Sequence, residues 1–547
     1  MGFNWQSRLD ASMAAAAVAA AALAAVIVLI GGFAIAWDFQ NYHYYDAFAL
    51  FHDRLRDIAP AGLHTYFNPT AEIPFYLGAA VLPPVLFGLC FGLFSGLNVT
   101  LAYFVSRAAL RGLNAPVLAA FCAGFAATST NFAIELASVN HDNLVSLFLL
   151  AGLLPLFRLE QSRRVMANVA AAGFVIGMGV GLKYTLAPFL IGAGAFLWVL
   201  LRGRLASRPI AIATAVFAAA ALAGVMLTAG WWMLHLWHSY GNPFFPMLNG
   251  LFHSPYAAPE SYADHRFLPQ GALEQLAFPF FFARDAARAG VKLPVHDYRY
   301  AVAYVGLGVA GAIYAAQRLR RAPPHAHGET PMPLGAAWFL IGFSLVSYVI
   351  WQMAFGVSRY LLPLDLVLPL VGLAVLEVLN FTALRWLALW GVGFLLLAAS
   401  ADHPWRGERP WNRDLMAVRV PAIPPDSMVV LAGTAPMSYL IPAFPMQTRF
   451  VRISLADGFG PAASGGITAV DSNALLATRA RDAVRSHQGG LFVLYGLTAG
   501  TRATEGAVVD ETLRRLKLRL IPSSCQPVVP NLRYERQSFR LCGLARL

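Results

Sequence analysis

The feature that most limits what this chain can fold into is a series of long, uncharged apolar runs, each of roughly 18–26 residues and so about the length of a membrane-crossing helix. Of the 547 residues, 58% are hydrophobic and only 12% charged, which is more apolar surface than one soluble core buries. The runs predict eleven spans, at 12–36, 82–106, 115–131, 143–157, 166–182, 184–201, 210–237, 300–317, 334–355, 361–379 and 384–400. The first ends on the small-residue sequence Ala34-Ile35-Ala36 but is about twice as long as the apolar part of a signal peptide, so it reads as an uncleaved span. A short re-entrant segment fits 73–81, just before Pro83-Pro84.

Arginine placement predicts the orientation. With the N-terminus inside, alternate loops carry Arg107 and Arg111, then Arg158, Arg163 and Arg164, then Arg202, Arg204 and Arg208, then Arg318, Arg320 and Arg321, then Arg385. The short loops of the other side hold only Arg54, Arg56, Lys183 and Arg359. Basic residues concentrate in cytoplasmic loops, so the pattern predicts an N-inside, C-outside protein with an odd number of spans. It also accounts for much of the net charge of +12 without a nucleic-acid partner.

All the unusual polar stretches then fall outside. Directly after the first run comes Trp37-Asp38-Phe39-Gln40-Asn41-Tyr42-His43-Tyr44-Tyr45-Asp46, and Asp38, Asp46, Asp53, Asp57, Glu72, His43, His52 and His64 crowd residues 37–72. In so apolar a chain this composition points to the wall of an active site rather than a connector. A carboxylate at the water boundary stays ionised while facing a substrate held in lipid. Asp38 is the first candidate for a general base, and Asp46, two helical turns on, the second. Lys183 and Arg359, at the outer ends of apolar runs, are candidates for binding a lipid phosphate; the alternative is two snorkelling anchors. Arg266 and Arg299 are weaker candidates for a phosphate, with a solvated loop as the ordinary reading of both. Asp38, His43, His141 and Asp142 could together hold a divalent ion of the Mg, Mn or Zn type. The ordinary reading of His141-Asp142 is a helix cap.

The outer loop 238–299, with Tyr240-Gly241-Asn242-Pro243-Phe244-Phe245-Pro246 and Phe252-His253-Ser254-Pro255-Tyr256, is long enough to serve as a lid. After Ser400 the apolar runs stop. Strand-like stretches at 428–431 and 491–494, with helical stretches at 472–486 and 510–520, predict a small outer α/β domain over 401–547 after a membrane module over 1–400. Its two cysteines, Cys525 and Cys542, are placed to form a disulfide in an oxidising compartment.

Three motifs carry a resemblance: Asn140-His141-Asp142-Asn143-Leu144 opening the fourth span, Gly181-Leu182-Lys183-Tyr184-Thr185, and Ser358-Arg359-Tyr360-Leu361-Leu362-Pro363. With an Asp beyond the first span and an outer C-terminal domain, they make residues 1–400 resemble the GT-C superfamily of integral-membrane glycosyltransferases. The resemblance implies a polytopic α-helical fold in the bacterial inner membrane, its active site facing the periplasm. It also implies transfer of a sugar from a polyprenyl-phosphate carrier to an acceptor lipid, glycan or protein, with inversion, Asp38 serving as base and Lys183, Arg359 and Tyr360 meeting the donor phosphate. The chain departs from the family in lacking an Asp-x-Asp or Glu-x-Asp pair, since position 40 is Gln. That departure leaves a metal unnecessary on sequence grounds. The rival class is a transporter or flippase of a lipid-linked or soluble substrate, which would show internal repeats and broken helices; a non-catalytic scaffold is a second rival.

Overall fold

The computed structural model describes every residue except 1–3, 34–35, 137, 261, 263, 292–294, 320–329, 404–413, 434, 454–467, 499–501 and 533–536. The motif residues Ala34 and Ile35, and Arg320 and Arg321, therefore lie outside the described residues. The chain divides into two compact units, one made of 1–33, 88–228 and 266–407, the other of 34–87, 229–265 and 408–547.

The first unit is helical. Among the described residues eight helices are long and apolar enough to cross a membrane: Ser7–Gly31, Pro84–Ala109, Asp142–Gln161, Val165–Leu182, Tyr184–Leu201, Ser207–Tyr240, Arg299–Leu319 and Leu334–Ala354. The last turns of Ser207–Tyr240, from Ala229, belong to the second unit. The other three expected spans take different forms. Two are the shorter helices Ala115–Ala127 and Leu384–Ser400, and the third is broken into Ser358–Asp365 and Leu368–Val378, bent by 57°. Pro369 opens the second half; it has no N–H to give to the preceding turn, which favours the break there.

The first span ends earlier than its composition suggests. Its helix stops at Gly31, and Gly32 takes the left-handed φ of +90° that a residue with a side chain avoids. Asp38 is thus separated from the span rather than one residue beyond it.

Apolar helices in lipid associate through close backbone approach, which small residues allow. Gly92 and Gly96 lie against Ala25 and Ala21 of the first helix. Gly173 and Gly177 lie against the backbone of Phe217 and Ala221, with Gly181 against Val225 and Thr228; a Cβ at any of the three would overlap its neighbour.

The second unit is built on a mixed sheet of β1 (Val418–Arg419), β2 (Met428–Ala432), β3 (Arg449–Arg452), β4 (Leu491–Leu497), β5 (Leu518–Leu520), β6 (Gln526–Pro530) and β7 (Ser538–Arg546). Its order is β1-β6-β7-β4-β2-β3, with β5 also on β7. β2 runs parallel to β3 and β4, and β7 runs antiparallel to β4, β5 and β6. Alternation along β2 sends Met428, Val430 and Ala432 into one core and Val429 and Leu431 into the other. The first core includes Ala480 and Val484 of the helix Leu475–Ser486 and Val509 and Leu513 of the helix Arg502–Arg515. The second includes Tyr45, Ala47 and Phe48 of the helix Tyr44–Phe51.

Residues 34–87 are therefore part of the same body as the tail. Ile58 extends the sheet with one parallel bridge to Val451, donating to Phe450 O and accepting from Arg452 N, both at 3.0 Å. Cys525 and Cys542 form a disulfide within this unit. The stretch 510–520, read as one amphipathic element, splits instead. The helix stops at Arg515, Lys517 takes a left-handed φ of +58°, and β5 returns along β7. The loop 238–299 is divided as well: 238–265 belongs to the second unit and 266–299, with the helix Gly271–Arg284, to the first.

Candidate functional site

In the first unit, the Asn140-His141-Asp142-Asn143 motif sits where the chain turns into the helix Asp142–Phe157. His141 holds the position before that helix in the left-handed region, with φ +65° and no side-chain cap bond, so the motif is a strained turn rather than an ordinary cap. Asp142 is 1% exposed. Lys183 Nζ approaches its Oδ1 at 2.6 Å and Arg359 Nε its Oδ2 at 3.6 Å. Two cations some 175 positions apart in the chain thus meet at one carboxylate. Tyr360 lies beneath both, with its ring centre 5.0 Å from Lys183 Nζ and 5.3 Å from Arg359 Cζ, inside the range of cation–π attraction.

The backbone fixes this cluster from both sides. Lys183 Nζ also donates to Asn140 O at 2.6 Å, and Asn98 Nδ2 donates to Asn143 O at 3.0 Å. Asn140 Nδ2 donates to Glu135 Oε1 at 2.9 Å. Glu135 is fully buried, and its carboxyl is raised by desolvation first and by Asp142 second, against the pull of Arg359 and Lys183. The sequence reading missed Glu135. Its signal is a single acidic residue within the otherwise apolar Phe132–Leu136, the kind of placement that marks a paired or functional group near a membrane.

In the second unit, Asp38 is half-buried at the start of the wide turn Phe39–His43. Its field acts on His64, which lies among the rings of Trp37, Tyr42 and Phe67. Burial holds His64 down at about 4, against the upward pull of Asp38. His43 Nδ1 lies 2.9 Å from Glu72 Oε1, both side chains being buried. Asp46 is 4% exposed, and its carboxyl is raised well above the usual range by burial and then by Glu72. Asp57 pairs with Arg54 at 2.9 Å and accepts from Phe450 N at 3.1 Å. Burial pushes it up to about 6 despite that arginine.

Of the four residues expected to hold a divalent ion, Asp38 and His43 lie in the second unit and His141 and Asp142 in the first. Asp142 already faces two cations, an environment that repels a third. Within the second unit His43 and Glu72 bring together an imidazole and a carboxylate of the kind that Zn or Mn takes. Burial and then Glu72 favour the neutral form of Asp46, the residue expected as the alternative base. Arg299 is not a solvated loop residue: it is 3% exposed, pairs with Asp297 at 2.9 Å and donates to Phe125 O at 3.1 Å.

No family model matches the chain, and no curated protein matches it. Among solved structures it is similar to the crystal structure of the Archaeoglobus fulgidus oligosaccharyltransferase in the apo form. That similarity is at 13% identity, covers 94% of this chain and 72% of that one, and has a TM-score of 0.43. The complex of that oligosaccharyltransferase with Zn and sulfate is similar at 14% identity, over 92% of this chain and 70% of that one, with a TM-score of 0.43.

Proposed function

We propose that this chain is a membrane glycosyltransferase that moves a sugar from a polyprenyl-phosphate donor to a hydroxyl or amine acceptor on the outer face of the membrane, with inversion. The observation that supports it most is the meeting of Lys183 and Arg359 at Asp142 over Tyr360. Both cations stand at ends of apolar segments, as a lipid phosphate requires. Asp142 holds them in place, and a phosphate oxygen entering the cluster gains charge-assisted bonds that strengthen as the sugar leaves. Asp38 takes the acceptor proton, in the role of general base. A divalent ion held by His43 and Glu72 would act as a Lewis acid.

The test is transfer from a radiolabelled polyprenyl-phosphate sugar by the full-length protein in liposomes. Lys183→Ala and Arg359→Ala should each raise the donor KM by about tenfold or more, the size of one lost charge-assisted bond. An unchanged donor KM in both variants removes the phosphate assignment.

One observation favours the transporter class, the broken span at Asp365. Asp365, however, accepts from Ser129 Oγ at 2.6 Å and Asn131 Nδ2 at 2.9 Å and also from Tyr300 OH. A carboxylate with its lone pairs so filled ties the break to its neighbours rather than offering a transport site.

A further inference from the structure

In the second unit a cleft of about 360 Å³, counting the solvent at its mouth, is lined by Asp46, Thr65, Tyr66, Trp232, His235 and Tyr240. Arg54 adds to its wall. Its enclosed part has room only for a group about the size of a water molecule. Both carboxyl oxygens of Asp46 are buried and, among the described residues, neither has a hydrogen-bond partner. A buried carboxyl that faces a cleft in this state lacks bonds that a ligand can supply.

The walls are aromatic and rigidly held. Trp232 is 3% exposed and donates its indole N–H to Tyr66 O at 2.9 Å. His235 stacks on it at 4.9 Å, and Tyr66 meets Tyr240 edge-on at 5.1 Å. The indole proton is therefore spent inside the protein, and the rings present apolar surface to the cleft.

The charges select the ligand. An anion would find no free cation in the wall, since Arg54 is paired with Asp57 at 2.9 Å, and a cation would find Arg54 beside a carboxyl that burial favours in its neutral form. A neutral hydroxyl both donates and accepts, and it complements a protonated carboxyl, which does the same. Burial favours that protonated form.

We propose that this cleft is a carbohydrate subsite: a hydroxyl of a neutral pyranose enters against Asp46, and the rings of Tyr66, Trp232 and Tyr240 line the path of the sugar's C–H face. The subsite rests on the glycosyl-transfer reading for its role, which is to hold the acceptor end. It implies an acceptor that is itself a glycan or a sugar-bearing lipid.

The experiment is saturation-transfer NMR on the full-length protein in detergent micelles, with methyl glucopyranoside, methyl galactopyranoside and methyl mannopyranoside as probes and methylammonium as the cationic control. At least one pyranoside should receive saturation and methylammonium should not displace it. Asp46→Asn, which keeps a donor and an acceptor, should bind within about threefold of wild type. Asp46→Leu should bind about tenfold more weakly or worse. His235→Ala, at a half-buried position that tolerates truncation, should weaken binding about threefold and serves as the readout if Asp46→Leu fails to fold. No saturation of any pyranoside, which leaves a resident water only, overturns the subsite; so does competition by methylammonium, or equal binding by Asp46→Leu and His235→Ala. The same variants in the transfer assay separate the two readings. Transfer with an unchanged acceptor KM sinks the subsite and keeps the transferase, whereas Asp46-dependent binding without transfer from any lipid-phosphate sugar does the reverse.

Discussion

At the scale of single residues, the acidic and imidazole groups of the second unit divide by environment into different chemical roles. Asp38 is half-buried, close enough to His64 to act on it electrostatically, whereas Asp46 and Asp57 are buried and raised. A base must be ionised and within reach of the proton it takes, so Asp38→Asn should leave donor binding intact while turnover falls by about 10²-fold. Wild-type turnover in that variant would end the assignment. His64 carries a second prediction. Its ordinary value is 6.5 and burial holds it at about 4, so between those values the unfolded chain binds the extra proton. Its contribution is present above 6.5 and is lost as pH falls towards 4, by up to about 3 kcal/mol. Asp57 runs the other way. Raised from 3.8 to about 6, it contributes below 3.8 and loses that contribution as pH rises through 6. Comparing wild type with His64→Gln in denaturation profiles between pH 4 and 7 isolates the histidine; the acid loss should shrink in the variant, and parallel profiles would show that His64 is not buried neutral.

At the scale of elements, apolar runs were legible because a span announces itself within its own window, and β2 and β4 were legible for the same reason. The ends were not. Gly32 stops the first helix at a backbone angle rather than by a change in hydropathy, and Lys517 turns a helical stretch into a strand by another. Lys183 and Arg359 stood out as charges at the ends of apolar runs. Glu72 stood out only as one of the crowded acidic residues of 37–72 and Glu135 not at all, because their roles come from His43 and Asn140, partners that only the fold supplies. The Asp57 environment depends on Phe450, some 390 residues away, which no local pattern encodes. Helix packing is where a single atom has the largest effect. Gly177→Leu should lower the melting temperature markedly, since its Cβ would enter the backbone of Ala221 and overpacking costs about 1–3 kcal/mol. Gly308→Leu, at a position where a Cβ meets nothing within 4 Å, is the control and should be neutral or stabilising, because leucine is the better helix former. Equal melting of the two variants would mean that the Gly173–Gly181 stripe does not determine the close approach.

At the scale of the whole molecule, the strongest expectation is the orientation, and it rests on basic residues rather than net charge. Arg107 is paired with Asp10 at 2.7 Å and Arg111 with Glu160, so part of the positive charge on the expected inner side is neutralised within the protein. The insertion bias counts lysine and arginine, to which acidic residues contribute little, so the pairing does not weaken the expectation. On the expected outer side Lys183 and Arg359 are drawn in to Asp142 and Arg54 is 2% exposed against Asp57, while Arg56 is exposed. The two short apolar helices and the broken span are where a count of eleven can fail, since removing one crossing reverses everything after it. Fusions of a reporter that is active only in the cytoplasm, and of one active only outside, at residues 325 and 547 decide the matter. The first position should report inside and the second outside, the arrangement that an odd number of crossings after an inner N-terminus requires. Inside signals at both positions would mean that Leu384–Ser400 or the Ser358–Val378 pair fails to cross, and would put residues 408–547 on the opposite side of the membrane from Asp38, which shares their unit.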